Sequence, residues 1–366
     1  MNPRVAIVGT VGVPARYGGF ETLAQALAEN VSPAEFSLFF YCQKSAYRPS
    51  ERSRTFLGHR RMFLPLAANG ASSVLYDLLS ITDAVLFRKC ETVLCLGASG
   101  APGFLLAKLL RPRTKIVFNV DGLESRRARW SGFARLVLTT LEWLGVRTAD
   151  VVVTDNRIIR SMVFHRFRRT STVIAYGGDN ATPGDSSVST DLEDLPDRYV
   201  LAISRIVPEN NVHLILGAFA ASPEAIVYVG NWQSSGYGRD LHSRYAGHSN
   251  IRLFDPIYDK RQLDQLRAQA IACVHGHSVG GTNPALVEAI FWAPTILAFD
   301  CGFNRATLQG KYHYWRDVTS LRALLEVALE FRPPPDGDIA ALRTIYRWKS
   351  VADAYCRLFH GLREAI

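Results

Sequence analysis

Short apolar runs alternate with amphipathic helical patterns along most of the chain. In the first half, stretches such as 20–29, 74–87 and 135–144 place apolar residues at helical spacing, and short apolar runs lie between them. These runs predict strands at 5–8, 36–41, 62–64, 92–96, 115–120, 151–154 and 172–175. Strands that alternate with helices in this way form a parallel sheet with helices on both faces.

The second half repeats this alternation after a break. Residues 180–197 are rich in Ser, Asp, Gly and Pro and lack a sustained period, which is typical of a linker. The last stretch, 339–366, is predicted to be helical, with Trp348, Val351, Tyr355 and Leu358 spaced by three and four residues. We therefore predict an α/β protein of two doubly wound, Rossmann-like domains facing each other across a cleft. The predicted parts are a domain at 1–180, a linker at 181–198, a second domain at 199–345 and a closing helix at 346–366.

Composition excludes several classes of protein. With 48% hydrophobic and 20% charged residues, the chain is not of the disordered type. No apolar run approaches about 18 residues, and the first residues look like a buried strand rather than a secretory signal. The six cysteines include no Cys-x-x-Cys pair, which favours buried thiols in a reducing cytosol over disulfides or zinc.

Charge is unevenly distributed. Residues 1–180 carry 24 Lys and Arg against 13 Asp and Glu, a balance of +11, whereas residues 181–366 carry 18 against 20. A basic half suggests an anionic partner, for which nucleic acid, a membrane surface and a phosphorylated substrate are candidates; a solvated basic face is the alternative. Nucleic acid is disfavoured because no aromatic residues are interleaved with the basic ones in a known module.

Two loops after strands in the first half carry candidate chemistry, because ligands of open α/β sheets bind beyond the carboxyl ends of the strands. Gly18 and Gly19 precede a helix, where backbone N–H groups can approach an anion, although a tight turn would also explain them. In the loop 119–130, Asp121 could orient a sugar hydroxyl or assist proton transfer. Glu124 and the neighbouring arginines could instead form an exposed ion-paired turn.

Two further loops lie in the second half. Arg205 follows a predicted strand, where a guanidinium suits bidentate phosphate recognition, and an ion pair with Glu209 is the alternative. Residues 280–282, Gly-Gly-Thr, lie at the start of a helix that begins near Asn283, which would suit a diphosphate. Glu288 lies further along this helix and could face the cleft or solvent. His275 and His277 lack a third ligand at suitable spacing, so no metal site is predicted.

These motifs resemble those of a known family. The segment 18–21, Gly-Gly-Phe-Glu, resembles the Gly-Gly-x-Glu element of family 4 glycosyltransferases of the GT-B fold, and 205–209 resembles their Arg-x-x-Pro-Glu stretch. The helix 283–288 resembles the one that carries the donor-binding glutamate, and the Trp348 segment resembles the closing helix. More narrowly, segments 11–22, 119–124 and 275–284 look like those of bacterial rhamnosyltransferases that build capsule and cell-wall polysaccharides.

The resemblance implies a retaining, metal-independent glycosyltransferase that uses no cofactor and takes a nucleotide-sugar donor, with dTDP-rhamnose expected. It implies a lipid-linked sugar acceptor, carried on polyprenyl diphosphate, and a cytoplasmic protein at the inner face of the inner membrane, in peripheral contact with anionic lipid. Plausible membrane-facing residues are Arg60, Arg61, Arg111, Arg113 and Lys115. The implied donor-binding residues are Gly18, Gly19, Arg205, Gly280, Gly281, Thr282, Asn283 and Glu288. The implied catalytic residues are Asp121, Arg205 and Glu288, and Tyr17, Glu21, Glu124 and Arg126 are expected on the acceptor side.

The chain departs from the family pattern at two positions. Gly280 stands where many members have a glutamate that contacts the donor sugar, and Asn210 stands where a lysine is common. A 6-deoxy sugar, with fewer hydroxyl groups to bind, is compatible with the first change. The alternatives that stay open are a transferase for another UDP- or GDP-sugar and a non-catalytic protein that binds nucleotide sugars.

Overall fold

The computed structural model describes residues 2–16, 18–120, 122, 125, 132–184, 192, 195–327 and 336–364. The chain forms two compact units. Unit 1 comprises Met1–Tyr176 and Trp348–Ile366, and unit 2 comprises Gly177–Arg347. The chain thus enters unit 2 after Tyr176 and returns to unit 1 at Trp348. The domain boundaries expected at residues 180 and 346 stay predictions.

Unit 1 is built on an eight-stranded sheet. Its strands are β1 (Arg4–Val8), β2 (Ser37–Gln43), β3 (Thr55–Phe56), β4 (His59–Leu64), β5 (Thr92–Leu96), β6 (Lys115–Asn119), β7 (Val151–Thr154) and β8 (Thr172–Val173). Their order is β3-β4-β2-β1-β5-β6-β7-β8, and only the β3–β4 pair is antiparallel. The central strands are buried and nearly all apolar, as expected for a sheet covered on both faces.

The helices of unit 1 connect and cover these strands. They are α1 (Gly19–Asn30), α2 (Ser73–Leu86), α3 (Ala101–Leu110), α4 (Gly132–Thr148), α5 (Arg157–Phe167) and α13 (Trp348–Glu364). Helix α13 packs beside α1, and its Trp348, Val351 and Tyr355 belong to the same buried cluster as Leu23. The Asn119 side-chain amide donates to the Tyr355 hydroxyl at 2.9 Å, which ties α13 to the end of β6.

Unit 2 has a six-stranded, fully parallel sheet. Its strands are β9 (Val200–Ile203), β10 (Ile226–Val229), β11 (Ile251–Phe254), β12 (Ala272–His275), β13 (Ile296–Phe299) and β14 (His313–Trp315), in the order β11-β10-β9-β12-β13-β14. Its helices are α6 (Val212–Ala220), α7 (Gly236–Tyr245), α8 (Lys260–Gln269), α9 (Pro284–Trp292), α10 (Gly302–Leu308), α11 (Val318–Val327) and α12 (Asp336–Ile345). The stretch 339–366, expected to be helical, lies in two helices: α12 ends at Ile345, and α13 begins at Trp348 in the other unit.

Each sheet has one point at which the direction of strand addition reverses. In unit 1 the chain builds outward on both sides of the β1–β5 pair, and in unit 2 on both sides of the β9–β12 pair. Loops that follow these strands diverge and leave a crevice at the carboxyl edge of the sheet, where α/β proteins bind ligands. The loops after β1 and β5, and those after β9 and β12, are therefore the places to look for chemistry.

One surface expectation is wrong. Arg61, expected to face a membrane, is 4% exposed in β4; its guanidinium carbon lies 4.8 Å from the centre of the Tyr47 ring and 4.6 Å from that of Phe63. It donates to the backbone carbonyl of Glu51 at 2.7 Å. Arg61 thus stabilises the interior of unit 1. Among the described residues, no helix has the length and apolar composition needed to cross a bilayer.

Candidate functional site

The loops after β9 and β12 are joined by hydrogen bonds at the crevice of unit 2. The backbone N–H and the hydroxyl of Ser278 both donate to the carbonyl of Glu209 at 2.9 Å, and the Asn211 amide donates to the carbonyl of Gly276 at 2.8 Å. A Cβ on Gly276 would overlap the carbonyl oxygen of Asn210. Glycine at 276 therefore lets the two loops approach at backbone distance, and together they form one structured wall.

Asn210 links this wall from within. It is 4% exposed, its side-chain N–H donates to the carbonyl of Arg205 at 2.7 Å, and its Oδ1 lies 2.7 Å from Nδ1 of His277. Because an amide oxygen only accepts, Nδ1 of His277 carries the proton in this contact. Asn210, at the position where a lysine is common in the family, thus holds the two loops together. The other ring nitrogen of His277, Nε2, lies close to Gly280, where a Cβ would be 3.2 Å away.

Arg205 lies two residues beyond β9 and is exposed. Within the described part of the chain, no carboxylate lies within ion-pairing distance of its guanidinium, so the alternative of an ion pair with Glu209 is not seen. Its backbone is held by Asn210, while its side chain is open to solvent. A guanidinium placed in this way can bind an external anion such as a phosphate.

Helix α9 begins beside the same wall. Asn283 is its N-cap: Oδ1 accepts the N–H of Ala285 at 3.0 Å, and Pro284 occupies the first helical position. Gly280 has a φ of 126°, in the region that favours glycine, and Thr282 is 6% exposed. The segment 280–283 therefore leads into a helix N-terminus whose dipole favours negative charge. The Asn283 side chain serves the helix itself.

Glu288 is held on α9 by two neighbours. Arg267 of α8, 8% exposed, donates to Oε2 at 2.9 Å, and the Asn180 amide donates to Oε1 at 3.1 Å. Glu288 and Arg267 line a small pocket with Ile203, His275, Ala285 and Trp292. Each carboxylate oxygen has about two acceptor sites, so a hydroxyl pair can still bind the oriented carboxylate. Arg267 was not expected from the sequence, where it is one charged residue of a polar helix.

His275 is buried at the end of β12. Burial lowers the pKa of its imidazole to about 3, with a smaller contribution from His277, so the ring is neutral at physiological pH. No group of three or more His, Cys, Asp or Glu side chains in the described ranges is arranged to hold a metal ion.

The loop after β1 in unit 1 is built by Glu21. This residue is 7% exposed in the first turn of α1, and its Oε1 accepts the N–H of Val11 at 2.9 Å. Burial raises the pKa of the Glu21 carboxyl, more than the hydrogen bond from Val11 lowers it. Gly18 has a φ of 125° and precedes the helix, and a Cβ there would overlap the Glu21 carboxylate. In this structure Glu21 thus shapes the glycine loop, whereas its expected place on the acceptor side stays a prediction.

Asp77 is a site residue that sequence reasoning missed. It is fully buried on α2, and its Oδ2 accepts the Ser99 hydroxyl at 2.5 Å. Burial raises the pKa of the carboxyl from 3.8 to about 7, against the lowering effect of Ser99 and of a backbone hydrogen bond from Gly9. Asp77 therefore connects the loops after β1 and β5, at the crevice of unit 1. Its signal in the sequence is weak: one aspartate among the apolar residues of a helix.

Comparison with known proteins settles the fold. A family model described as a domain of unknown function (DUF1972) matches residues 2–179. A search of curated proteins by sequence gives no significant match. Sucrose-phosphate synthase from Thermosynechococcus elongatus is similar with a TM-score of 0.81 at 13% identity, over 100% of both chains. The chain has the GT-B fold of glycosyltransferases.

Two further GT-B neighbours cover the whole chain. Trehalose 6-phosphate synthase from Burkholderia multivorans has a TM-score of 0.73 at 12% identity, over 100% of this chain and 97% of its own. HepE from Anabaena, in a structure with UDP and glucose, has a TM-score of 0.73 at 13% identity, over 98% of this chain and 100% of its own. The predicted α/β fold class of two doubly wound sheets is confirmed.

The structure gathers part of the expected site on this GT-B chain. Arg205, Glu288 and the segment 280–283 lie on elements around the crevice of unit 2; in unit 1, Gly18 ends the loop after β1 and Gly19 begins α1. Four expected residues fall outside the described residues: Tyr17, Asp121, Glu124 and Arg126. Their roles stay predictions.

Proposed function

We propose that this protein transfers a sugar from a nucleotide diphosphate-sugar to an acceptor, with retention of anomeric configuration and without a metal ion. The observation that carries this proposal is the exposed guanidinium of Arg205, which has no carboxylate partner among the described residues. Arg205 lies in the loop after β9, and hydrogen bonds tie this loop to the one that leads into α9. Both loops lie where the direction of strand addition in unit 2 reverses. The GT-B fold, shared with synthases and with a structure that holds UDP and glucose, supports this reading.

The donor binds to unit 2 in this proposal. Arg205 contacts the diphosphate, and the backbone of 280–282 and the N-terminus of α9 add favourable dipoles. Glu288 accepts hydrogen bonds from the two ribose hydroxyls, in an orientation fixed by Arg267 and Asn180. Asn210 supplies no charge, so Arg205 and the α9 dipole carry most of the electrostatic stabilisation.

The reaction uses the leaving group as base. The acceptor oxygen bonds to the anomeric carbon on the face from which the diphosphate departs, and the bond from that carbon to the phosphate oxygen breaks. The acceptor's proton passes to the departing phosphate oxygen. Arg205 and the α9 N-terminus stabilise the negative charge that develops on the diphosphate, which is where preorganised electrostatics lowers a barrier most effectively. Asp121 is proposed to orient a hydroxyl of the donor sugar.

The proposed donor is dTDP-rhamnose, and the proposed acceptor is a sugar on polyprenyl diphosphate at the cytoplasmic membrane face. The motif resemblance to rhamnosyltransferases supports both. Gly280 adds support for the donor, because its lack of a side chain removes a hydrogen-bonding group that an extra sugar hydroxyl would need.

A release assay tests the proposal. Purified protein is incubated with dTDP-rhamnose or with UDP- and GDP-sugars, in the presence or absence of a lipid extract that carries polyprenyl-linked sugars. Nucleotide release from dTDP-rhamnose that depends on the lipid is the expected result. Release from another donor retains the transferase and rejects rhamnose. A donor that raises the melting temperature without being turned over favours the non-catalytic binding protein. The proposal is rejected if the protein neither binds nor turns over any of these donors.

Substitution of Arg205 tests the site. Arg205→Ala is expected to lower kcat/KM by about 100-fold or more, since a charge-assisted contact is lost where charge develops. Arg244→Ala, an exposed arginine on α7 with no ion pair to a described residue, is the matched control and should keep full activity. Near-normal activity of Arg205→Ala would remove this residue from the phosphate role.

A further inference from the structure

The imidazole of His277 lies in the wall formed by the loops after β9 and β12, and its side chain and backbone are both held. Its Nδ1 lies 2.7 Å from Oδ1 of Asn210, and its backbone carbonyl accepts the Asn304 amide of α10 at 2.9 Å. Asn210 and Asn304 are themselves buried, with 4% and 2% of their surface exposed. The ring is therefore fixed from inside the protein, although His277 itself is only half-buried.

The contact with Asn210 decides which ring nitrogen accepts a hydrogen bond. The amide nitrogen of Asn210 donates to the carbonyl of Arg205 at 2.7 Å, so the oxygen of this amide faces the ring and can only accept. Nδ1 of His277 therefore carries the proton, and in the neutral ring Nε2 holds the lone pair. A hydrogen bond to one ring nitrogen is the usual way in which a protein fixes the tautomer that the other nitrogen presents.

Gly280 leaves the space beside Nε2 without a side chain. A Cβ at 280 would lie 3.2 Å from Nε2, and among the described residues other than its chain neighbours only the His277 ring comes within 4 Å of that point. The φ of 126° at Gly280 also disfavours any other residue there. The edge of the imidazole is therefore the polar group that the described wall places beside Gly280.

The neighbouring side chains of this segment serve other purposes. The Ser278 hydroxyl donates to the carbonyl of Glu209 at 2.9 Å, and the Asn283 side chain caps α9. Val279 is apolar and 37% exposed. Within residues 277–280, the imidazole is thus the side chain best suited to accept a hydrogen bond from a bound molecule.

We propose that His277 accepts a hydrogen bond from a hydroxyl group of the donor sugar, and that Asn210 is the residue that positions it. This inference rests on the proposed function, in which the backbone of 280–282 faces the donor diphosphate. The sugar is bonded directly to that diphosphate, so its hydroxyl groups come within reach of the imidazole beside Gly280. An acceptor left without its hydroxyl partner costs binding free energy, so His277 selects sugars that carry a hydroxyl group at this position.

Calorimetric titration separates the sugar from the rest of the donor. The full-length protein is titrated with dTDP-rhamnose and with dTDP, and with UDP-glucose and UDP as a second pair. The variants are then compared on the pair whose nucleotide sugar the wild type binds more tightly. His277→Asn is expected to lower the affinity for the nucleotide sugar by about fivefold to tenfold, the loss of one hydrogen bond, and to leave the affinity for the nucleotide alone unchanged. That unchanged affinity also shows that the variant is folded.

Asparagine at 277 keeps the structural part of the histidine. Its amide nitrogen takes the place of Nδ1 and can donate to Asn210, whereas nothing replaces Nε2. His277→Gln, whose longer side chain carries its amide to the place of Nε2, should restore part of the affinity for the nucleotide sugar. His248→Asn is the matched control, since His248 precedes β11 at the opposite, amino edge of the sheet, and this variant should bind both ligands like the wild type.

Nitrogen NMR of protein labelled at its histidines reads the tautomer directly, and the spectrum of His277→Asn identifies the His277 signals. The Nδ1–H tautomer is expected in the wild type, and Asn210→Ala should weaken this preference. Addition of the nucleotide sugar should shift the Nε2 resonance of His277, whereas the nucleotide alone should not. A histidine with a purely structural role would not distinguish the two ligands.

Two results would overturn this proposal alone. One is a His277→Asn variant whose affinities for the nucleotide sugar and for the nucleotide change by the same factor or not at all. The other is an Nε2 resonance that responds to both ligands alike. In either case, binding of the nucleotide sugar by the wild type would leave the proposed function standing. Wild-type protein that binds none of the four ligands would instead reject the proposed function, and the role of His277 with it.

Discussion

Asp77 gives the sharpest test of how unit 1 is assembled. The perturbation is Asp77→Asn, which keeps the shape and an oxygen that can accept from Ser99 but cannot ionise. In the wild type, burial raises the pKa of this carboxyl from 3.8 to about 7 in the folded state. The folded protein therefore holds a proton that the unfolded chain has released, and stability falls as pH rises through that window.

The magnitude follows from the size of this shift. A change of about three pKa units corresponds to about 4 kcal/mol, present in full below the unfolded pKa and lost as pH rises past the folded pKa. Between pH 5 and pH 8 the loss is about 3 kcal/mol. The asparagine has no such dependence, so the difference in unfolding free energy between variant and wild type should shift by about 3 kcal/mol in favour of the variant over this range.

Urea denaturation at several pH values measures this difference, and groups that titrate identically in both proteins cancel. Asp83→Asn on the same helix is the comparison variant, because Asp83 is partly exposed and ion-paired with Arg88 rather than buried. A difference between Asp77→Asn and wild type that stays constant within about 1 kcal/mol from pH 5 to pH 8 would refute the reasoning. It would mean that Asp77 is ionised throughout and that its hydrogen bonds outweigh its burial.

Three further predictions concern unit 2. Arg267→Leu removes a nearly buried partner of Glu288, so the KM for the donor should rise about tenfold or more, with a smaller change in kcat; an unchanged KM would argue against an orienting role. Asn210→Ala releases His277 and the Arg205 carbonyl and should lower the free energy of unfolding by about 1–3 kcal/mol in urea denaturation; an unchanged free energy would show that Asn210 does not hold the two loops. Gly276→Ala forces apart the two loops and should cost about 1–3 kcal/mol and weaken donor binding in calorimetry; wild-type stability would show that the loops tolerate separation.

Much of the fold was predictable from local patterns. Alternating apolar runs and amphipathic stretches predicted most of the strands, because buried parallel strands are almost continuously apolar, but they did not predict the short strands β3 and β14 at the sheet edges. The end of the chain was less predictable, because helical spacing over 339–366 does not show where α12 ends and α13 begins. The break at Tyr346–Arg347 follows from tertiary contacts: the Tyr346 hydroxyl donates to the carbonyl of Thr307 in unit 2, while Trp348 packs in unit 1.

Residues of the candidate site could be predicted only where a chemically suitable side chain stands in a recognisable sequence motif. Arg205 could be proposed because it follows a strand in a recognisable motif, and Glu288 because it lies on a helix that resembles the one with the donor-binding glutamate. Arg267 and Asp77 could not, because their roles depend on partners 21 and 22 residues away, Glu288 and Ser99, on other elements. The prediction that Arg61 faces a membrane failed for a similar reason. The sequence does not show that the Tyr47 and Phe63 rings pack against its guanidinium.

The passage of the chain out of unit 1 and back has a consequence for synthesis on the ribosome. The residues that complete the core beside α1, from Trp348 to Phe359, are made after the whole of unit 2. Unit 2 is contiguous in sequence, so it can fold as it emerges, whereas residues 1–176 must wait with the surface beneath α13 uncovered. The nascent first half is then the stage most exposed to aggregation and most dependent on chaperones. A circular permutant that begins at Trp348 should reverse the order and let unit 1 fold first.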